Sequence, residues 1–174
     1  ILLNLVKLSA PIIVHTAEEV WSAIIHKGED AASVHLATFP KEHPVWTDNG
    51  LHERWEKLIN MRADIARELE KMRAAKLIGN SLEASVNLST ENEELWQFLK
   101  SYEKDLPMIF ILSEVKLDRD ITSRAVKGEL LPALWIEGRV SQHKKCERCW
   151  NLRESVGTVP EHPTICDRCV TALQ

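Results

Sequence analysis

Four cysteines, all between positions 146 and 169, constrain this chain more than any other feature of it. They form two pairs, Cys146-Glu147-Arg148-Cys149 and Cys166-Asp167-Arg168-Cys169, separated by residues 150–165. A C-x-x-C pair on a tight turn aims both sulfurs at one point. Two such pairs at this separation complete a tetrahedron, with zinc–sulfur bonds of roughly 2.3 Å. Four protein ligands close the coordination sphere and leave no position for a reactive water. The expected ion is therefore structural, zinc or another metal that takes four thiolates. Its binding supplies folding free energy that so short a segment cannot draw from its own core, on the order of 10 kcal/mol. Two disulfides or a pair of redox dithiols are the competing use of the same sulfurs, and His143 or His162 can stand in for one cysteine among the ligands. A disulfide framework spreads its cysteines through the fold, whereas these are confined to one segment.

The remaining sequence has the balance of a globular protein, 44% hydrophobic and 28% charged over 174 residues. The net charge of −4 excludes a polycation, so any nucleic acid must be bound through a local patch. No apolar run reaches the length of a membrane span, and clustered cysteines fit a reducing compartment, so the expected location is the cytoplasm, with no membrane partner. The opening Ile1-Leu2-Leu3-Asn4-Leu5-Val6 has neither a basic leader nor an initiating Met. It is expected to be the cut edge of a larger protein rather than a signal peptide.

Periodicity predicts an α+β fold in three parts. Residues 1–79 read as a helical bundle. Apolar residues recur through 1–10, Pro11 interrupts, and Thr16 with Glu19 forms a capping box that opens a helix to about Ile25, stopped at Gly28. Ser33–Leu36 reads as a short extended piece and 39–44 as a loop. A long helix follows over 51–76, with Leu51, Trp55, Leu58, Ile65, Leu69 and Met72 on one stripe, Arg62 the exception on it, and Gly79 as its C-terminal cap. Residues 80–141 read as a mixed α+β domain. Leu82 to Leu88 alternates as a half-buried strand, and Thr90 with Glu93 caps a helix to about Lys104. Met108–Leu112 and Ala133–Val140 read as strands, 118–130 as loop, and Gly138 as a bulge or turn. Residues 142–174 form the metal module.

Around the cysteines the charge changes sign. Arg139, Lys144, Lys145, Arg148, Arg153 and Arg168 outnumber Glu147, Glu154, Glu161 and Asp167, and Trp150 directly follows the first pair. Cations for phosphates beside one ring for stacking suit single-stranded nucleic acid. The plainer use of Trp150 is as the small core of the module. On the long helix, acidic residues offset most of the basic ones, so that face is read as solvated. No phosphate loop, hydrolase triad signature or metal-hydrolase motif is present.

Several stretches share one resemblance. Leu8-Ser9-Ala10-Pro11 through Thr16-Ala17-Glu18-Glu19-Val20-Trp21 resembles a helix in the anticodon-binding domain of class I aminoacyl-tRNA synthetases. Ser33-Val34-His35-Leu36 with Phe39-Pro40 resembles a segment shortly after it, with Phe where Trp is common. Ile78-Gly79-Asn80-Ser81-Leu82-Glu83-Ala84, preceded by Glu70-Lys71-Met72-Arg73, resembles an element of the isoleucyl, valyl and leucyl subgroup. The cysteine module resembles the zinc finger shared by bacterial isoleucyl-tRNA synthetases and formamidopyrimidine-type DNA glycosylases. In this order the elements are similar to the C-terminal part of bacterial isoleucyl-tRNA synthetases.

The resemblance implies a non-catalytic, tRNA-binding region of an ATP-dependent isoleucine–tRNA ligase, whose catalytic, editing and ATP-binding parts lie outside this chain. The implied partners are isoleucine tRNA and the rest of the same polypeptide, in a monomer. The implied tRNA contacts are Trp150, Arg148, Lys144, Lys145 and Arg168, and the implied zinc ligands are Cys146, Cys149, Cys166 and Cys169. Two other readings remain open at this level: a nucleic-acid-binding fragment of a DNA glycosylase-like protein, and a zinc-stabilised protein-interaction module.

Overall fold

The computed structural model describes residues 1–24 and 31–173. They form two compact units, Ile1–Asn49 and Gly50–Gln174.

In the first unit, α1 (Leu2–Ser9) and α2 (Val14–Ala23) enclose a small core of Val6, Ala10, Ala17, Trp21 and Val34. The expected capping box at Thr16 does not form. The N–H groups of Ile12 and Ile13 both donate to the Ser9 carbonyl, so the chain is already turning before Thr16 and α2 begins at Val14. The expected stop at Gly28 lies outside the described residues. Residues 33–36 are not extended. They form a 3-10 turn, Val34–Leu36, because Ser33 Oγ accepts from the His35 N–H and the Glu18 carboxylate accepts from both the Ser33 hydroxyl and the Val34 N–H.

The second unit is a four-stranded sheet with helices packed against its apolar side. Helix α3 (Asn49–Ala74) buries Leu58, Met61, Ile65, Leu69 and Met72. The expected stripe is correct from Leu58 onward. Its first members, Leu51 and Trp55, are exposed, and Met61 takes a buried place instead. The helix ends on Lys76, which adopts the left-handed conformation at φ 56°. The Leu77 N–H donates to the Met72 carbonyl, so the capping role expected of Gly79 falls to a lysine. The Gly79 N–H donates to Glu83 Oε2.

Strand β1 (Ala84–Ser89) pairs parallel with β2 (Glu114–Asp118) and antiparallel with β4 (Trp135–Val140), and β4 pairs with β3 (Val126–Lys127). The order is β2-β1-β4-β3. Strand β1 was expected to be half-buried, yet all six residues are buried. It lies between two neighbours, and a segment between β2 and β3 ties onto its polar side through the Ser89 hydroxyl, which donates to the Asp120 carbonyl. Ala84, Val86 and Leu88 share one core with the buried face of α3, with Leu95 and Leu99 of α4 (Glu93–Tyr102), and with Leu106 and Phe110 of α5 (Leu106–Phe110). That shared core places α3 in the same compact unit as the sheet, Gly50–Gln174.

Four further expectations change. Asn92, not Thr90, caps α4, accepting from the Leu95 N–H. Thr90 is fully buried and donates to the Ala133 carbonyl. Residues 108–112 are not a strand. Pro107 sits in the first turn of α5, where a missing N–H costs nothing, and the helix ends on Ile111 at φ 57°. Residues 118–130 contain β3, so they are not wholly loop. Gly138 makes no bulge. It lies in regular pairing, where a Cβ would stand 2.5 Å from Met72 Sδ, so α3 can approach β4 closely.

One buried carboxylate fixes the β3–β4 connection. Asp64 on α3 accepts from the N–H groups of Glu129, Leu130 and Leu131 and from Arg67 Nη1 at 2.7–3.2 Å. A Cβ at Gly128 would lie 2.6 Å from both Asp64 Oδ2 and the Leu131 carbonyl oxygen, so only glycine fits beside this anchor. Asp64→Ala leaves three N–H groups without their acceptor. It is expected to lower the unfolding free energy by about 2–4 kcal/mol, read as a fall in the urea midpoint at unchanged slope.

Candidate metal centre

The module after β4 is built on a short hairpin, β5 (Lys144–Lys145) against β6 (Leu152–Arg153), and ends in α6 (Asp167–Thr171). The hairpin turn is the first knuckle. The Cys146 N–H donates to the Asn151 carbonyl, the Trp150 N–H donates to the Cys146 carbonyl, and Asn151 Nδ2 donates to the Cys149 carbonyl. In the second knuckle Cys166 stands immediately before α6, and the Cys169 N–H returns to its carbonyl. Ser155 accepts from the Asp167 N–H and donates to its carboxylate, which that bond holds below the usual carboxylate range.

These turns bring all four sulfurs within 4.8 Å of one another. Across the knuckles, Cys146 Sγ is 3.8 Å from Cys169 Sγ and Cys149 Sγ is 3.7 Å from Cys166 Sγ. Sulfurs at the corners of a tetrahedron with a zinc–sulfur bond of roughly 2.3 Å stand about 3.8 Å apart. A disulfide needs about 2.05 Å, so the sulfurs are not paired covalently. The residues fit one structural zinc ion. Neither histidine replaces a cysteine: among the described residues the four cysteines are the one group able to hold an ion, and His143 Nε2 lies 4.0 Å from Glu114 instead.

Ionisation of the set is uneven. Burial opposes charge on Cys146, but the N–H groups of Cys149, Cys166 and Arg148 outweigh it and bring the thiol down to about 6. At Cys166 burial prevails and the thiol is pushed up to about 12. Only a cation among them lets all four sulfurs ionise together.

The small core of the module consists of Cys146, Val156, Cys166 and Cys169, with Cys149 and Ile165 against it. Trp150 is not part of it. Its side chain is 64% exposed, its backbone is left-handed at φ 63°, and Lys145 Nζ lies 5.6 Å from the ring centroid. Lys144 is exposed on the same short strand as Lys145. Arg148 Nη1 donates to the Cys169 carbonyl and so braces one knuckle against the other. Arg168 lines a separate cavity of about 260 Å³ with Met108, Ile111, Asn151 and Arg153.

Sequence reasoning missed Ser113, and it counted Arg153 only among the basic residues of the module, not among the implied contacts. The Ser113 hydroxyl donates to the Leu82 carbonyl and accepts from the Leu152 N–H at 2.7 Å, and the Ser141 N–H donates to the Glu83 carbonyl. Together these bonds fasten the module to the sheet. Arg153 Nε is buried without a hydrogen-bond partner. No local pattern sets either residue apart from other serines and arginines of the chain.

The family model for the anticodon-binding domain of tRNA ligase matches residues 1–88, and that for the zinc finger found in FPG and IleRS matches residues 144–172. The isoleucine–tRNA ligase of Geobacter sulfurreducens is 40% identical over 174 residues, all of this chain and 18% of the relative. Those of Syntrophotalea carbinolica and Brachyspira hyodysenteriae are 40% and 38% identical, over 96% and 98% of this chain and 18% of each relative. The chain thus spans under a fifth of the length of the relatives it matches.

Cys166→Ser, or a strong zinc chelator, is expected to release amide protection over residues 144–171 while β1 and α3 stay protected in hydrogen exchange. A thiol-reactive release assay should count one zinc per chain before treatment, with affinity falling as pH drops, because protons compete for the sulfurs.

Proposed function

Because the chain belongs to the family of anticodon-binding domains of tRNA ligases, we propose that it is the tRNA-holding end of an isoleucine–tRNA ligase. On this reading it grips the anticodon stem-loop of isoleucine tRNA. A catalytic body elsewhere in the same polypeptide uses ATP to activate isoleucine and join it to that tRNA. The chain itself carries no catalytic residue, and the full protein acts as a monomer in the cytoplasm. Among the described residues no helix is long and apolar enough to cross a membrane.

The observation that carries the reading is the presentation of Trp150. A tryptophan gains nothing for stability by standing 64% exposed at φ 63°, where glycine is favoured. Strain retained at an exposed aromatic is typical of a residue kept for a ligand. Anticodon bases are unstacked and available to aromatic rings. In the proposed complex Trp150 stacks on a base. Lys144, Lys145 and Arg168 take phosphates, and Arg148, steadied by the Cys169 carbonyl, offers its remaining donors beside them. The DNA glycosylase-like alternative accounts for the zinc finger but not for the match over residues 1–88.

Trp150→Ala is expected to weaken binding of isoleucine tRNA by about 5- to 100-fold, the loss of one stacked base, without change in zinc content. Filter binding against a tRNA with another anticodon and a DNA duplex tests it. Equal affinity of variant and wild type would remove Trp150 from the interface.

A further inference from the structure

Arg62 interrupts the apolar stripe of α3 and Met61 takes the core instead, so the sequence gives Arg62 no structural task. It lines a cavity of about 140 Å³ with Arg73, Ser81, Phe110 and Ile111. The cavity of about 260 Å³ that holds Arg153 and Arg168 is also lined by Ile111, and by Leu82, the residue next to Ser81. Ile111 thus stands between the two cavities and lines both. No carboxylate lines either one, although Arg153 also lines the cleft of about 520 Å³ beside β6, where Glu114, Glu154 and Asp167 stand.

Two features of this groove lack a structural explanation. Among the described residues Arg62 and Arg168 make no ion pair, and Arg153 has its buried Nε unpartnered, so cationic capacity is unspent at both ends. Between them stand Met108, 70% exposed, and Ile111, 45% exposed. Ile111 closes α5 at φ 57°, in a left-handed conformation that a β-branched residue resists and glycine adopts freely. An exposed apolar side chain is thus held in place against a backbone preference, midway between two sets of arginines.

We propose that this groove, from Arg62 and Arg73 across Ile111 and Met108 to Arg153 and Arg168, is a second RNA-holding surface that takes a single-stranded segment of the tRNA. Unpaired nucleotides present an apolar base face every few ångströms along a charged backbone. An apolar ridge flanked by arginines is complementary to that alternation. Arginine forks match phosphate oxygens two at a time, and the ridge gives a splayed base a dry surface. The proposal rests on the tRNA reading above, but on different residues from Trp150 and the β5 lysines.

The test is equilibrium binding of the zinc-loaded protein to an isoleucine tRNA transcript over a series of salt concentrations. Arg62→Gln and Arg153→Gln should each weaken binding several-fold and reduce the magnitude of the slope of log affinity against log salt by about 0.7, the value for one phosphate contact to a single strand. Trp150→Ala should weaken binding at unchanged slope. Ile111→Gly should raise the melting temperature, because the left-handed strain is relieved, and yet weaken binding, a combination that a purely structural residue would not give. Wild-type affinity and slope in both arginine variants, with tRNA bound normally by the wild type, would overturn the groove and leave the Trp150 site standing. Failure of the wild-type protein to bind the tRNA at all would overturn both.

Discussion

The mutual repulsion of four sulfurs held within 4.8 Å is the constraint on which the C-terminal module depends. Hydrogen bonds from backbone N–H groups ease the charge on Cys146, but they do not reach far enough into the set to ionise Cys166. A divalent cation at the centre converts that repulsion into the attraction that closes both knuckles. The left-handed turn at Trp150 and the reach of Arg148 to the Cys169 carbonyl are both properties of closed knuckles. The metal performs no chemistry there. It fixes the direction in which an aromatic ring and a set of cations point.

The module would be of little use if it swung freely. Two hydrogen bonds through one hydroxyl, from Ser113 to Leu82 and from Leu152 to Ser113, join it to the sheet just ahead of β1 and β2. The sheet is held in turn by the apolar face of α3 and by the Asp64 carboxylate at the far connection. Rigid support of this kind lowers the ordering cost of any binding at the module. It also places α3, α5 and the zinc knuckles on one body, which allows arginines distant in sequence to line two cavities that share Ile111.

The metal site was legible because ligand spacing is a short-range code, two cysteines on one turn and two on another, and the structure places all four sulfurs together. The buried face of α3 from Leu58 to Met72 was legible for a similar reason, since a long stripe leaves little room for error. Short elements were not. Met108–Leu112 is apolar and brief, a pattern that fits helix and strand equally, and Pro107 decided for helix. Strand β2 does alternate, with Val115 and Leu117 between Glu114, Lys116 and Asp118, but over five residues the signal is faint. Its parallel place beside β1 depends on contacts far along the chain. The caps failed where a neighbour intervened. Thr90 was drawn to the Ala133 carbonyl, which left Asn92 to cap α4, and Lys76 accepted the conformation expected of Gly79. Trp150 could be named from the sequence but not placed, because exposure is a property of the folded knuckle.

Because β1 pairs with strands on both sides that come later in the chain, its partners arrive in a fixed order during synthesis. Strand β2 follows a crossover through α4 and α5, and β4 follows that. The Ser113 hydroxyl, donating to the Leu82 carbonyl and accepting from the Leu152 N–H, joins the start of β1 to β6 through the segment leading into β2. A sulfur cluster assembled earlier would form a closed but unattached knuckle, and one assembled later would dock onto a finished sheet. The hydroxyl thus ties together three segments made at different times, one ahead of β1, one ahead of β2 and one in β6.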